Sequence, residues 1–281
     1  MARDIAGKLP KIMDKRKANH QTFETTAEGQ MVSLGVFVGQ EIDRFNTLLS
    51  VMKSTLTNLD KAIQGTVVMS MDLEMMFNDF LNNKVPLQWV KVGYPSLKPL
   101  SSWVPDLIQR MDFITGWLYN GPPATYWLPA FFFPQGFMTA TLQTYARKTA
   151  TPIDTLAFKT HLRDFFVEGV KDNEAPVDGV NLHGLYIQGA KWDMKKKIVD
   201  DSDPKAPIVS MPVIWLEPVL EKDAIDEKAY QCPLYKTSLR AGELSTTGHS
   251  TNFVLFLSIP SEQTQDYWIR RGAALLCMTD N

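Results

Sequence analysis

Cysteine and histidine are scarce in this chain, two and four among 281 residues. Cys232 and Cys277 stand alone, without CxxC spacing or a neighbouring histidine, so no zinc-ligand pattern is present. They allow one bridge or two reduced core thiols, and the thiols suit the rest of the chain better. His20, His161, His183 and His249 are scattered, with no HExxH among them. A GxxxxGK[ST] loop is missing too. Gly7-Lys8 is the only Gly-Lys pair, and without a preceding loop of stacked amides it forms no phosphate cradle. No GxGxxG follows a strand pattern, and no GxSxG marks a nucleophile elbow. No leader pattern opens the chain and no apolar run approaches membrane-spanning length, so a soluble, intracellular protein without membrane contact is expected. An excess of one charge sign is also lacking. The formal net charge of -2 argues against a general polyanion binder, and nucleic acid is not an expected partner.

What is present is an ordinary globular composition, 44% hydrophobic and 21% charged, long enough for one large domain or two smaller ones. Residues 1–28 are polar, with a basic cluster at Lys8, Lys11, Lys15, Arg16 and Lys17, and read as a solvated connecting segment. From Gln30 the period becomes helical. Leu34, Val38, Ile42, Phe45, Leu49, Met52, Leu56, Leu59 and Ile63 make one apolar stripe, and Gly65 is placed to end the helix. Ser70 is the expected cap of a second helix, with Asp72 and Glu74 in its first turn and Leu73, Met76, Phe77 and Phe80 on its buried face. Ser101 or Ser102 is expected to cap a third, burying Trp103, Leu107, Met111, Ile114 and Leu118 before "NGPP" (120–123) stops it. A fourth is expected over 135–148.

After Pro152 the period shifts toward two. Strands are expected near 157–163, 180–187, 208–216, 232–237, 252–259 and 272–278, with a short helix in "PSEQTQDYWIRRG" capped by Ser261 and stopped by Gly272. The fold class that follows is α+β: a helical subdomain over 1–150, then a small six-stranded antiparallel β-barrel over 151–281.

"LSTTGHSTNF" (244–253) is the best catalytic candidate the sequence offers, with Ser245, Thr246, Thr247, His249, Ser250 and Thr251 around Gly248. His249 and Ser250 are neighbours, and neighbours along a strand point to opposite faces, which suits a base and its nucleophile poorly. The favoured reading is a polar turn whose hydroxyls satisfy backbone groups. The aromatic concentration Trp117, Tyr119, Tyr126, Trp127, Phe131, Phe132 and Phe133 is either core or an exposed docking patch, and core packing is favoured because aromatics dominate buried area. "KWDMKKKIVDDSD" (191–203) reads as a solvated hairpin tip, with partner binding as the alternative. Catalytic, cofactor-binding and metal residues are all expected to be absent.

Several strings, in collinear order, resemble the C-terminal region of dynein heavy chains. They are "EIDRFNTLL" (41–49), "LDKAIQGTVVMS" (59–70), "YPSLKPLSSWVPDL" (94–107), "FFFPQGFMTATLQTYARK" (131–148), "GVNLHGLYIQGAKWD" (179–193), "MPVIW" (211–215), "CPLYKTS" (232–238), "LSTTGHSTNFV" (244–254) and "WIRRGAALLC" (268–277). The similarity runs from about residue 30 to the end. It implies a non-catalytic domain, helices then a small barrel, that packs on the AAA+ ring of the same heavy chain and regulates ATP-driven movement along microtubules. The nucleotide motifs would lie upstream, and microtubules would be met only through the full motor. "STTGHSTNFV" resembles axonemal heavy chains, inner-arm types in particular, which implies a cilium or flagellum and contact with other axonemal dynein subunits. A module recruiting another axonemal component is the alternative function.

Overall fold

The computed structural model describes residues 1–26, 29–167, 175–224, 228–240 and 251–280. Helix α1 (Ala2–Lys8) lies along α2 (Ser33–Ile63), and the segment between them sends Met13 and Thr22 into the interior. The long stripe of α2 buries Val38, Ile42, Phe45, Leu49, Met52, Leu56 and Leu59, whereas Ile63, at its last turn, is exposed. Gly65 ends the helix as its spacing predicts. At φ +74° it donates to Ala62 O (3.0 Å) while Thr66 donates to Lys61 O (3.0 Å), the paired bonds of a Schellman stop.

Ser70 caps α3 (Met71–Leu81), its hydroxyl accepting the Leu73 N–H at 3.4 Å. Leu73, Met76 and Phe80 face the core. Phe77 does not: the three- and four-residue steps of that face leave it beside the stripe, 39% exposed. A single turn, α4 (Leu87–Val90), is tied to α3 by an edge contact between Phe80 and Trp89 at 5.7 Å. Helix α5 (Leu100–Asn120) buries Trp103, Leu107, Met111, Ile114 and Leu118 and stops at Gly121. Neither Ser101 nor Ser102 caps it. Asn83, just past α3, does that from outside, accepting Leu100 N–H on its carbonyl (2.9 Å) and Ser101 N–H on its side-chain oxygen (2.9 Å). Helix α6 (Pro134–Thr149) begins on a proline and packs between α2 and the sheets.

The strands do not form one barrel. They build two mixed sheets and a hairpin. The first sheet has the order β1-β3-β8-β2, from β1 (Tyr126–Trp127), β2 (Leu156–Leu162), β3 (Val180–His183) and β8 (Ile214–Leu220). The second is β10-β9-β11-β4-β7, from β4 (Tyr186–Gln188), β7 (Ile208–Ser210), β9 (Ala229–Tyr235), β10 (Phe253–Pro260) and β11 (Ala274–Leu276). Strands β5 (Lys191–Asp193) and β6 (Ile198–Asp200) form the hairpin. Pairings β1 with β3 and β9 with β11 are parallel, against the antiparallel expectation.

The reason is a corner. Segments 180–188 and 208–216 each look like one strand, and each is broken in two. They run as one antiparallel ribbon in unbroken register, Leu182 opposite Ile214 and Tyr186 opposite Ser210, with Met211 N–H donating to Leu185 O (2.8 Å) at the bend. Each strand therefore changes sheets there. Gly184, at φ +81°, occupies the bend, and a Cβ on it would lie 2.3 Å from Cδ1 of Trp127. Where a barrel would close, β10 meets β2 through a side chain and not a ladder, Ser258 N–H donating to the Thr160 hydroxyl at 3.3 Å.

Helix α7 (Gln265–Arg270) is shorter than expected. Thr264 stands at its cap position, and Ser261 instead accepts the Trp268 indole N–H (2.8 Å) and Gln263 N–H (3.0 Å). One contiguous apolar cluster joins Phe45 and Trp117 among the helices, through Phe131 and Phe137, to Leu182, Ile214, Leu234 and Leu257 in the sheets.

Candidate functional site: the seam between helices and sheets

The aromatic segment lies in that seam. Phe131 stacks on Phe137 at 4.8 Å and meets Phe37 edge-on at 4.9 Å, while Trp117 meets Tyr126 at 5.0 Å. Trp117, Tyr126 and Phe131 are buried, Trp127 and Phe132 are partly covered, and Tyr119 and Phe133 remain exposed. Core packing is the outcome for most of the segment, which its irregular, proline-containing backbone fixes in place.

Two charged residues on apolar helix faces hold this segment. Glu41 of α2 is fully buried, accepting the Phe132 N–H at 2.6 Å and pairing with Arg44. Burial pushes its carboxyl above the ordinary range, against the downward pull of the Phe132 amide and of Arg44. Arg110 of α5 is 1% exposed, pairs with Asp106 at 2.6 Å, donates to Pro129 O, and lies 3.9 Å from the Tyr94 ring centroid. Tyr94 donates its hydroxyl to the same Asp106 carboxylate at 2.9 Å and stacks on Trp103. Sequence reasoning misses both charges, although a signal exists. Glu41 lies three residues after Val38 and four before Phe45, and Arg110 holds the same relation to Leu107 and Ile114.

Toward the sheets, Gln135 of α6 donates to Phe253 O at 2.6 Å, and Lys236 beyond β9 and Arg44 of α2 both approach the Phe133 ring at 5.8 Å. Burial lowers the pKa of Lys236. A cavity of about 10 Å³ lies among Tyr94, Arg110, Pro129, Lys236 and Cys277, room for nothing larger than a water. Cys232 and Cys277 are free, buried thiols, Cys277 pushed up to about 12 by burial and Cys232 further. Chemically, the seam is a set of pinned contacts that makes helices and sheets one body.

The histidines are not gathered. Among the described residues, His20 is exposed, His183 ends β3, and His161 on β2 is bonded to Glu217 (2.7 Å) with its ring on Trp215 (4.5 Å). No group of three His, Cys, Asp or Glu that could hold a metal occurs among the described residues. No described helix is long and apolar enough to cross a membrane. Ser245, Thr246, Thr247, Gly248, His249 and Ser250 lie outside the described residues. Asn252, which follows, works locally. Its side-chain oxygen accepts Thr237 N–H (3.2 Å) and its amide donates to the Thr237 hydroxyl (2.9 Å), joining the end of β9 to the start of β10. In the hairpin, Lys196 pairs with Asp200 and Lys197 with Asp164, so its basic run is largely neutralised at close range.

The sequence that builds these helices and sheets matches a known family. Residues 1–277 fit the C-terminal domain of dynein heavy chains, and the protein belongs to that family. Among its relatives, human dynein axonemal heavy chain 6 is 43% identical over 97% of this chain, and human dynein axonemal heavy chain 1 is 47% identical over 88%. Human dynein axonemal heavy chain 12 is 42% identical over the whole chain. The matched stretch is only 7%, 6% and 9% of those three proteins, so the chain spans less than a tenth of their length.

Proposed function

We propose that this domain packs on the AAA+ ring of an axonemal dynein heavy chain and biases ATP-driven movement along microtubules, without chemistry of its own. The observation that carries the reading is the family match across residues 1–277, with axonemal heavy chains as relatives. Its place would be the axoneme of a cilium or flagellum. The ring of the same chain is the first partner, microtubules are met through the whole motor, and other dynein subunits are secondary contacts. The division at residue 150 into helical and sheet parts belongs to the same proposal.

Physically, a covering domain shifts a ring's equilibrium only by contacting its states unequally. A rigid body does this better than a loose one, and the pinned seam supplies rigidity. Recruitment of another component through the 191–203 hairpin is disfavoured, because that hairpin's charges already pair with each other and with Asp164. The test is deletion of this domain from the full heavy chain, followed by ATPase and microtubule-gliding assays. Altered coupling of velocity to ATP turnover is expected. Unchanged velocity and turnover would reduce the domain to a passive cover.

A further inference from the structure

The longest helix, α2, begins without the partners a helix start normally has. Val32 stands at its cap position and offers no side-chain acceptor, and its first turn, residues 33–36, holds no acidic residue. The positive end of a 31-residue helix therefore has no side-chain anion of its own. Water serves such an end where it is exposed, but this one is closed. Ser33, its first residue, is 5% exposed, and among the described residues its buried hydroxyl has no hydrogen-bond partner. A buried hydroxyl in that state is costly, and it marks a place where something else bonds to it.

Ser33 lines a cleft of about 300 Å³ between α2 and α6, with Val36 and Gln40 on the first helix and Ala140, Gln143 and Arg147 on the second. Arg147 reaches the same end of α2, its Nη1 donating at 3.4 Å to the carbonyl of Met31, two residues before Ser33. Among the described residues Arg147 pairs with no carboxylate, whereas the adjacent Lys148 pairs with Asp178 at 2.6 Å. A cation in the last turn of α6 suits that helix's own dipole. The dipole accounts for the charge of Arg147, and not for its reach across to the start of α2.

We infer that this cleft binds a small phosphate monoester, its phosphoryl group held at the start of α2 by the Ser33 hydroxyl, the Arg147 guanidinium and the first-turn amides. Three kinds of donor meet at one helix end, and a phosphoryl group brings three acceptor oxygens to them, where a carboxylate brings two. The rest of the cleft suits the organic part of the ester, with Val36 and Ala140 as an apolar wall and Gln40 and Gln143 as amides for its polar groups. The site is independent of packing on the ring. It lies on the helix that carries Glu41, so a ligand that binds only the folded state stabilises the body in which the seam is held.

The test is titration of the 281-residue chain with phenyl phosphate, read by backbone amide shifts and by thermal unfolding. Saturable shifts are expected, largest over residues 33–36, with Tm rising by about 3–5 °C at ten times the dissociation constant. Inorganic phosphate should move the same amides with weaker affinity, because it leaves the apolar wall uncovered. Ser33→Ala should cost no stability without ligand, since the hydroxyl bonds to nothing described in the protein, yet weaken binding about tenfold or more. Arg147→Gln, at an exposed position, should weaken binding by a similar factor and reduce its salt dependence. Equal binding of phenylacetate overturns the choice of phosphate in favour of a carboxylate. Binding of a phosphoserine peptide without binding of phenyl phosphate overturns the small ligand in favour of a modified protein segment. Shifts centred on the basic stretch 8–17, or unchanged by Ser33→Ala, overturn the site itself. Destabilisation of ligand-free Ser33→Ala does so as well, by showing that the hydroxyl already has a partner in the protein.

Discussion

The carboxylate of Glu41 accepts the backbone N–H of Phe132, 91 residues further along, at 2.6 Å. One bond thus fixes the middle of the longest helix to the aromatic segment that the sheets pack against. Burial raises this carboxyl above its ordinary 4.5, so the folded state holds the proton more tightly than the unfolded chain. That contribution to stability is fully present below the ordinary carboxylate range and is lost as pH rises through the raised value. Urea unfolding between pH 4 and pH 8 should therefore show a decline that Glu41→Gln flattens. Glu41→Ala should cost about 1–3 kcal/mol, from an unpaired Phe132 amide. Parallel pH profiles for the wild type and Glu41→Gln would contradict this.

Arg110→Met should be among the most damaging single changes in the helical half. It leaves the Asp106 carboxylate without its cation in a site that is nearly closed. Breaking such a pair from one side costs about 3–5 kcal/mol. Adding Asp106→Leu should recover part of the loss and not all, since the Tyr94 hydroxyl then lacks its acceptor. Denaturant midpoints of the single and double variants measure both quantities.

Two glycines should respond in opposite directions. Gly184→Ala meets Trp127 and a left-handed backbone together, and should cost about 1–3 kcal/mol for the strain alone. Gly116, inside α5, has nothing within 4 Å of the point where a methyl group would sit, so Gly116→Ala should stabilise by about 0.5–1 kcal/mol. Equal effects in thermal unfolding would contradict a tight corner at Gly184.

Both cysteines should resist thiol reagents in the folded protein and react once it is unfolded. Their thiols are buried and held protonated, and the thiolate is the reactive form. A maleimide titration reads this directly, with two equivalents taken up only in denaturant. Fast labelling of Cys277 in the native state would show that the seam opens.

The helices are legible in the sequence because their signals are local. Apolar spacing, Gly65 and Ser70 define α2 and the start of α3 within a few residues of where they stand. The cap of α5 is not legible, since Asn83 reaches it from the end of another helix. In the sheets, the apolar positions are Val180 and Leu182, then Leu185 and Ile187, so the alternation slips by one at Gly184, a sign of the bend that a single strand over 180–187 passes over. What the pattern does not show is that Trp127 packs where a Cβ of residue 184 would lie, a contact between distant parts of the chain. The parallel pairing of β9 with β11 is likewise a matter of long-range geometry. Glu41 and Arg110 escape notice because an apolar stripe is recognised by what continues it, whereas the charges that interrupt it carry the seam.

The bent ribbon also bears on how the polypeptide reaches this structure. The pairs β3 with β8 and β4 with β7 are the same two segments on either side of one corner, in one register. Closing residues 189–207 once therefore aligns β3 with β8 and β4 with β7 together, and neither of these two pairs needs a separate search. The same economy has a hazard. A slip of one residue in segment 180–188 would turn Leu182 out of the first sheet's interior and Ile187 out of the second's in a single step, so an error in either sheet is an error in both.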